Sequence, residues 1–120
     1  NKTIDVQTGY IIKRALEGMR HAIAAMAERG NHMIVDDVFF DSEDTEYRQL
    51  LGQFDFRLVG LFAPLDVVRN REIARGDRAI GLSQGQFERV HKGRKYDLEV
   101  DTSQAPPDAI ARKICEDFGL

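Results

Sequence analysis

The chain has 120 residues, a net charge of −3 and a pI near 5.6, with 42% hydrophobic and 31% charged residues. That length suits one domain with a core and is short for two, the charge argues against a nucleic-acid or membrane-surface binder, and the mixed composition argues against disorder. Cys115 is the single cysteine and no apolar run approaches the ~20 residues that span a bilayer, so the expectation is a disulfide-free protein of the cytoplasm.

From Ile11 to Arg29, apolar residues recur three or four apart at Ile12, Leu16, Met19, Ile23, Met26 and Ala27, which predicts an amphipathic helix stopped by Gly30. Residues 32–40 follow as an apolar run without helical period, and predict a parallel strand buried on both faces. Ser42 with Thr45 and Glu46 reads as a helix start, with Tyr47, Leu50 and Leu51 on one face and Gly52 near the end. A second strand is expected over 56–62, and Pro64 suits the first turn of a helix running toward Ala74. Residues 76–95 are polar and glycine-rich and predict a mobile lid, with a short helix near Ser83 to Val90. Tyr96 to Val100 alternates like a strand, Asp101-Thr102-Ser103 is a turn, and Pro106-Pro107-Asp108 opens a last helix through Ile110, Ile114 and Phe118 that places Cys115 on its inner face. Strands alternating with helices predict an α/β fold in which helices cover both sides of a parallel sheet.

Three features carry chemistry. Arg69, Arg71, Arg75 and Arg78 crowd ten residues, and on a continuous helix 71, 75 and 78 share a face. Each like-charged pair costs a few tenths of a kcal/mol, whereas a bound polyanion returns roughly 1.5 to 3 kcal/mol per charge-assisted contact. The cluster is therefore either a phosphate clamp or a solvated face partnered by Glu72 and Asp77. Asp36 and Asp37 interrupt the apolar run 32–40, and a carboxylate there must pair, meet a metal, or face a cleft at a strand end. Helix capping, an ion pair and a Mg²⁺ or substrate role all remain open for them. Finally, residues 76–83, GDRAIGLS, have the glycine spacing of the phosphate-cradling GxxxxGK[ST] loop, but Leu82 stands at the lysine position and a helix precedes, so the glycines read as hinges. His91 either packs beside Tyr96 or touches a substrate, and His21 and His32 have no metal-ligand spacing.

The stretches RALEGMRHAIAAMAERGNHMIVDDVFF (14–40), REIARGDRAIG (71–81) and VHKGRKYDLEVDTS (90–103), in this order, resemble the chloramphenicol phosphotransferases over nearly the whole chain. The resemblance implies a three-layer α/β/α P-loop kinase-like fold. It further implies transfer of the γ-phosphoryl group of ATP, with Mg²⁺, to a hydroxyl of a small molecule such as chloramphenicol. Arg71, Arg75 and Arg78 would be the lid arginines, with Arg75, Arg78 and Asp37 in catalytic positions. Thr102 and Ser103 would lie near the adenine, Asp36, Gln86 and His91 near the acceptor, and Asp36 and Asp37 would reach Mg²⁺ through water. Such kinases open with a strand, a GxxxxGK[ST] loop, a helix and a second strand bearing an Asp base, none of which occurs here. With no initiator Met, residues 1–120 are thus expected to be the C-terminal part of a longer kinase, and a homo-oligomer is compatible with the pattern. The competing readings are an anion- or nucleotide-binding module without catalysis, and a nucleotide or sugar kinase of the same fold.

Overall fold

In the computed structural model, residues 9–77 and 79–120 are described, and they form five helices and two strands. They gather into two compact units, residues 9–56 and the described residues from 57 to 120.

The first unit pairs α1 (Tyr10–Glu28) with α2 (Glu43–Leu51). Both form where the apolar period and flanking residues place them: Gly30 takes the left-handed φ of 88° just beyond α1, and Ser42 precedes an α2 first turn bearing Glu43, Asp44 and Glu46, whose charges suit a helix N-terminus. Their shared core is Ile23, Phe39, Tyr47 and Leu51, with the Tyr47 ring 5.6 Å from that of Phe39 and 6.4 Å from that of Phe56. The predicted strand at 32–40 does not form, and the segment enters no ladder among the described residues. Extended backbone becomes a strand only when a neighbour takes its N–H and C=O groups, and among the described residues no strand pairs with this run. Ile34, expected to be buried, is fully exposed at 102%, and Val35 and Val38 are exposed with it. The apolar side of α1 is likewise covered only in part: Ile12, Met19 and Met26 are exposed, and the buried residues of this helix are Arg20 and Ile23.

In the second unit, β1 (Val59–Phe62) pairs in parallel with β2 (Leu98–Asp101), in the register Val59↔Leu98 to Phe62↔Asp101. Parallel strands need a long crossover, and residues 63–97 supply it, with α3 (Leu65–Arg75) and α4 (Leu82–Phe87) inside it. The pair is tied at both ends. At its start Leu58 N–H donates to the Asp97 carboxylate (2.7 Å) and Asp97 N–H donates to the Leu58 carbonyl (2.8 Å); at its end Thr102 N–H donates to the Phe62 carbonyl (2.7 Å). Leu58 and Val100 form the buried core here. Pro64 caps α3 from just outside the helix, one position earlier than a first-turn proline, so its missing N–H costs no helical bond. The last helix, α5 (Pro107–Phe118), starts on its proline as expected and leans Phe118 under the Arg57 guanidinium, 4.9 Å from the ring centre. None of its residues is fully buried, and Cys115 is exposed rather than in a core. The reason is angular: Ile110, Ile114 and Phe118 are half-buried on one stripe, and Cys115 lies one residue, about 100°, round from Ile114.

The second unit is tightest at Gly60. A β-carbon there would sit 2.7 Å from the Phe62 ring and 2.8 Å from the Tyr96 ring, and the Phe62, His91 and Tyr96 rings are already packed against one another. Gly60→Ala is expected to destabilise this unit by about 1 to 3 kcal/mol through overpacking. Chemical denaturation of the two proteins measures it, and equal midpoints would show that the aromatic cluster is not packed as described.

Candidate functional site

In open parallel sheets ligands gather beyond the carboxyl ends of the strands. In the second unit those ends are Phe62 and Asp101, and the residues around them are built from α3 and the turn after β2. The turn is local chemistry. Asp101 Oδ1 accepts the N–H of Ser103 (2.8 Å) and its hydroxyl (2.5 Å), a side-chain turn of the kind Asp favours. These bonds, the hydroxyl first, hold the Asp101 carboxyl below its usual range, and the nearby Arg71 charge acts in the same direction. Thr102 hangs on β1 through its own N–H, and its hydroxyl donates to the same Phe62 carbonyl (3.2 Å). Onto this platform α3 lays Arg71, whose Nη1 donates to Thr102 Oγ1 (2.7 Å) and whose Nη2 donates to the Thr102 carbonyl (2.9 Å). Arg71, Thr102 and Ser103 are thus brought together, the threonine 31 positions after the arginine in sequence.

One turn on, Arg75 forms a two-pronged pair with Asp77, Nε to Oδ1 at 3.1 Å and Nη2 to Oδ2 at 2.9 Å, with both side chains more than half exposed. This is the solvated pairing with Asp77 that the arginine spacing allowed, and an exposed pair of this kind adds little to stability. Arg78 lies outside the described residues. Arg69 turns the other way and donates to the Gln84 side chain on α4.

Glu72 stands between these arginines in sequence yet faces inward, 6% exposed. Its carboxylate accepts the N–H of Ser83 (2.8 Å) and of Gly81 (3.0 Å), which hold its pKa below the ordinary value, the Ser83 bond contributing most. A depressed carboxylate contributes stability above its unfolded value and loses it as pH falls through the folded one, so this contact is at full strength at neutral pH. The arginine spacing offered Glu72 only as a surface partner. A carboxylate reaching amides nine and eleven residues ahead has no periodic signature in the sequence.

His91 packs beside Tyr96: its Nδ1 is 2.5 Å from the Tyr96 hydroxyl and its ring stacks on Phe62 at 3.9 Å. Burial lowers its pKa, against a hydrogen bond with the Leu61 backbone that raises it, so the imidazole is neutral at neutral pH. Gln86 lies on α4, and its carbonyl takes the Val90 N–H; its neighbours Gln84, Gly85 and Phe87 line an open groove of about 460 Å³ bounded by Leu65 and Lys92.

In the first unit Asp36 is exposed, while Asp37 joins a network centred on the buried Arg20. Arg20 Nη1 donates to Glu46 (3.1 Å), its Nε faces Asp37 Oδ2 at 3.8 Å without a hydrogen bond, and its guanidinium lies 5.7 Å from the Tyr47 ring centre. Asp37 also accepts the Val38 N–H (2.8 Å) on one oxygen and the Tyr47 hydroxyl (2.9 Å) on the other. Asp37 is therefore in an ion pair, one of the arrangements its sequence context left open. No group of three or more His, Cys, Asp or Glu side chains that would hold a metal occurs among the described residues.

With this geometry in hand the comparisons are decisive for family. The family model for chloramphenicol phosphotransferase-like proteins matches residues 2–119. The chain belongs to that family. Two relatives, both named "Putative O-phosphotransferase" and from Mycobacterium tuberculosis strains CDC 1551 / Oshkosh and ATCC 25618 / H37Rv, are 29% identical over 114 residues. The match covers 94% of this chain and 51% of each relative, so the chain spans about half the length of the curated relatives it matches. The chloramphenicol phosphotransferase-like chain has no helix, among its described residues, long and apolar enough to cross a membrane.

The Arg20 network makes a spectroscopic prediction. Burial first, and the bond to Asp37 second, push the Tyr47 hydroxyl up to about 12. Its protonated form is favoured in the folded state, so the contribution is complete below pH ~10 and is lost as pH rises toward 12, on the order of 2 kcal/mol. An absorbance titration at 295 nm should include a late ionisation, and Tyr47→Phe should remove one tyrosine's amplitude from it. A late amplitude unchanged by the substitution would place the raised pKa elsewhere.

Proposed function

We propose that this chain is the arginine-bearing part of an ATP-dependent small-molecule O-phosphotransferase with the three-layer α/β/α arrangement of P-loop kinases. The observation that carries the reading is Arg71 seated on Thr102 at the carboxyl end of the parallel strands, with the Arg75 fork held on a carboxylate one turn away. The donor set suits a polyphosphate. Arg75 already grips an anion in the two-pronged geometry that a phosphate oxygen pair takes, and its exposed pair with Asp77 is weak enough to exchange. Family membership and the relatives' names support phosphoryl transfer to oxygen.

In this reading ATP supplies the phosphoryl group. Arg71, Thr102 and Ser103 would serve the adenine side, while Arg75 would meet the phosphates, the role the resemblance also gives Arg78. Their charge is worth most on the equatorial oxygens of the transferring group, where negative charge is spread in the transition state. The acceptor is a small molecule bearing a hydroxyl, chloramphenicol being the family's namesake, and Gln86 and His91 would serve it. Asp36 is the exposed carboxylate of its pair and the one free to act through water. Both oxygens of Asp37 take protein donors, which does not fit direct Mg²⁺ ligation.

The test is to express the complete reading frame and follow ATP consumption against chloramphenicol and a panel of small alcohols. Turnover with at least one acceptor is expected. Arg75→Ala should lower kcat roughly a hundredfold or more and weaken ATP about tenfold, while leaving the melting temperature nearly unchanged, because its pair is exposed. No turnover with any acceptor, together with no thermal shift on adding ATP, would overturn the proposal.

A further inference from the structure

The loop from Gly76 to Gly81 leaves α3 directly after Arg75, and both of its ends are held by one residue. The Glu72 backbone carbonyl takes the Gly76 N–H (3.4 Å), and the Glu72 carboxylate takes the Gly81 N–H (3.0 Å) and then the Ser83 N–H (2.8 Å). Gly76 and Gly81 have φ of 68° and 101°, backbone that a side chain would strain, so the loop turns sharply at both ends. Asp77, inside the loop, holds the Arg75 guanidinium. Glu72 is buried and has no part in the chemistry proposed above.

We propose that Glu72 is the positioning residue for Arg75. By closing the 76–81 loop at its base, it fixes where α3 ends, where Asp77 stands, and hence where the Arg75 fork points. This rests on the nucleotide reading of the arginine face. A carboxylate suits the task because it accepts two amides at once, which a neutral amide side chain cannot do with its nitrogen end. The Arg69 contact to Gln84 reinforces the same junction between α3 and α4 one turn earlier on the same face of the helix. A loop held at both ends sets where α3 stops and where Asp77 stands beside the Arg75 fork until an anion exchanges for it, and displacements of about 1 Å at such a donor are enough to change rates by a hundredfold.

The experiment is a double-mutant cycle on ATP affinity, measured by calorimetry on the full-length protein, combined with amide hydrogen exchange. Glu72→Ala should weaken ATP about tenfold, and Glu72→Gln, which keeps one acceptor, by an intermediate factor. In an Arg75→Ala background, Glu72→Ala should cause no further loss beyond roughly twofold, since the residue acts through the arginine. The Gly81 and Ser83 amides should exchange faster in Glu72→Ala. Additive losses would overturn the inference and leave the nucleotide reading standing, because a merely structural Glu72 weakens the fold independently of Arg75. Unchanged exchange at Gly81 and Ser83 would overturn the clamp itself. Should Glu72→Ala fail to fold, the same comparisons are read on Glu72→Gln. Wild-type protein that binds no ATP would overturn both readings, and is told apart by occurring before any substitution.

Discussion

The parallel pairing of β1 with β2 is the constraint on which the candidate site depends. Four residues of ladder would be a weak element alone, and it is the ties beyond its ends that make it definite: Asp97 with Leu58 at one end, Thr102 with Phe62 at the other. The second tie also does the functional positioning. Thr102 can receive the Arg71 guanidinium only because its backbone and hydroxyl are both turned onto the end of β1, from which α3 departs. Gly60 and the Phe62, His91 and Tyr96 rings set how closely the crossover chain lies against that strand.

Charge is organised differently in the two units. In the first, a buried Arg20 gathers Glu46, Asp37 and the face of Tyr47, so its carboxylates are consumed in holding α1 to α2. Removing one partner from a buried group of this kind generally costs more than the pair contributes, because the remaining charge is left desolvated. In the second, Arg71 and Arg75 of α3 stay at the surface, while Glu72 between them turns inward to backbone amides. One short helix thus carries a buried carboxylate that serves the fold and exposed guanidiniums that the proposed function assigns to a ligand.

Much of the local structure was legible. The period from Ile12 to Ala27 gave α1 to within a residue or two at each end, Pro107 opens α5, and the turn at Asp101-Thr102-Ser103 is an Asp side-chain turn. The segment 32–40 was misread because an apolar run shows what a strand is made of, without showing whether a neighbour exists to complete its hydrogen bonds. Cys115 was misread for a related cause: a helix has an inner face only where something covers it, and α5 is covered along one narrow stripe. Of the candidate site, the arginine cluster and the loop at 102–103 were visible as residue types, but their joining was not.

What the sequence by itself determined is the helices, the turns and the family, because these follow from contacts three or four residues apart, from side chains bonding their own backbone, and from motifs kept in order along the chain. Which charges act together was decided by tertiary structure alone. Arg20 with Glu46 is a pairing over 26 residues and Arg71 with Thr102 over 31, and each exists because packing or a parallel ladder returns the chain to that place. Several partners of suitable charge are available to every one of these groups along the sequence, so composition and spacing leave the choice open, and distance in the folded chain makes it.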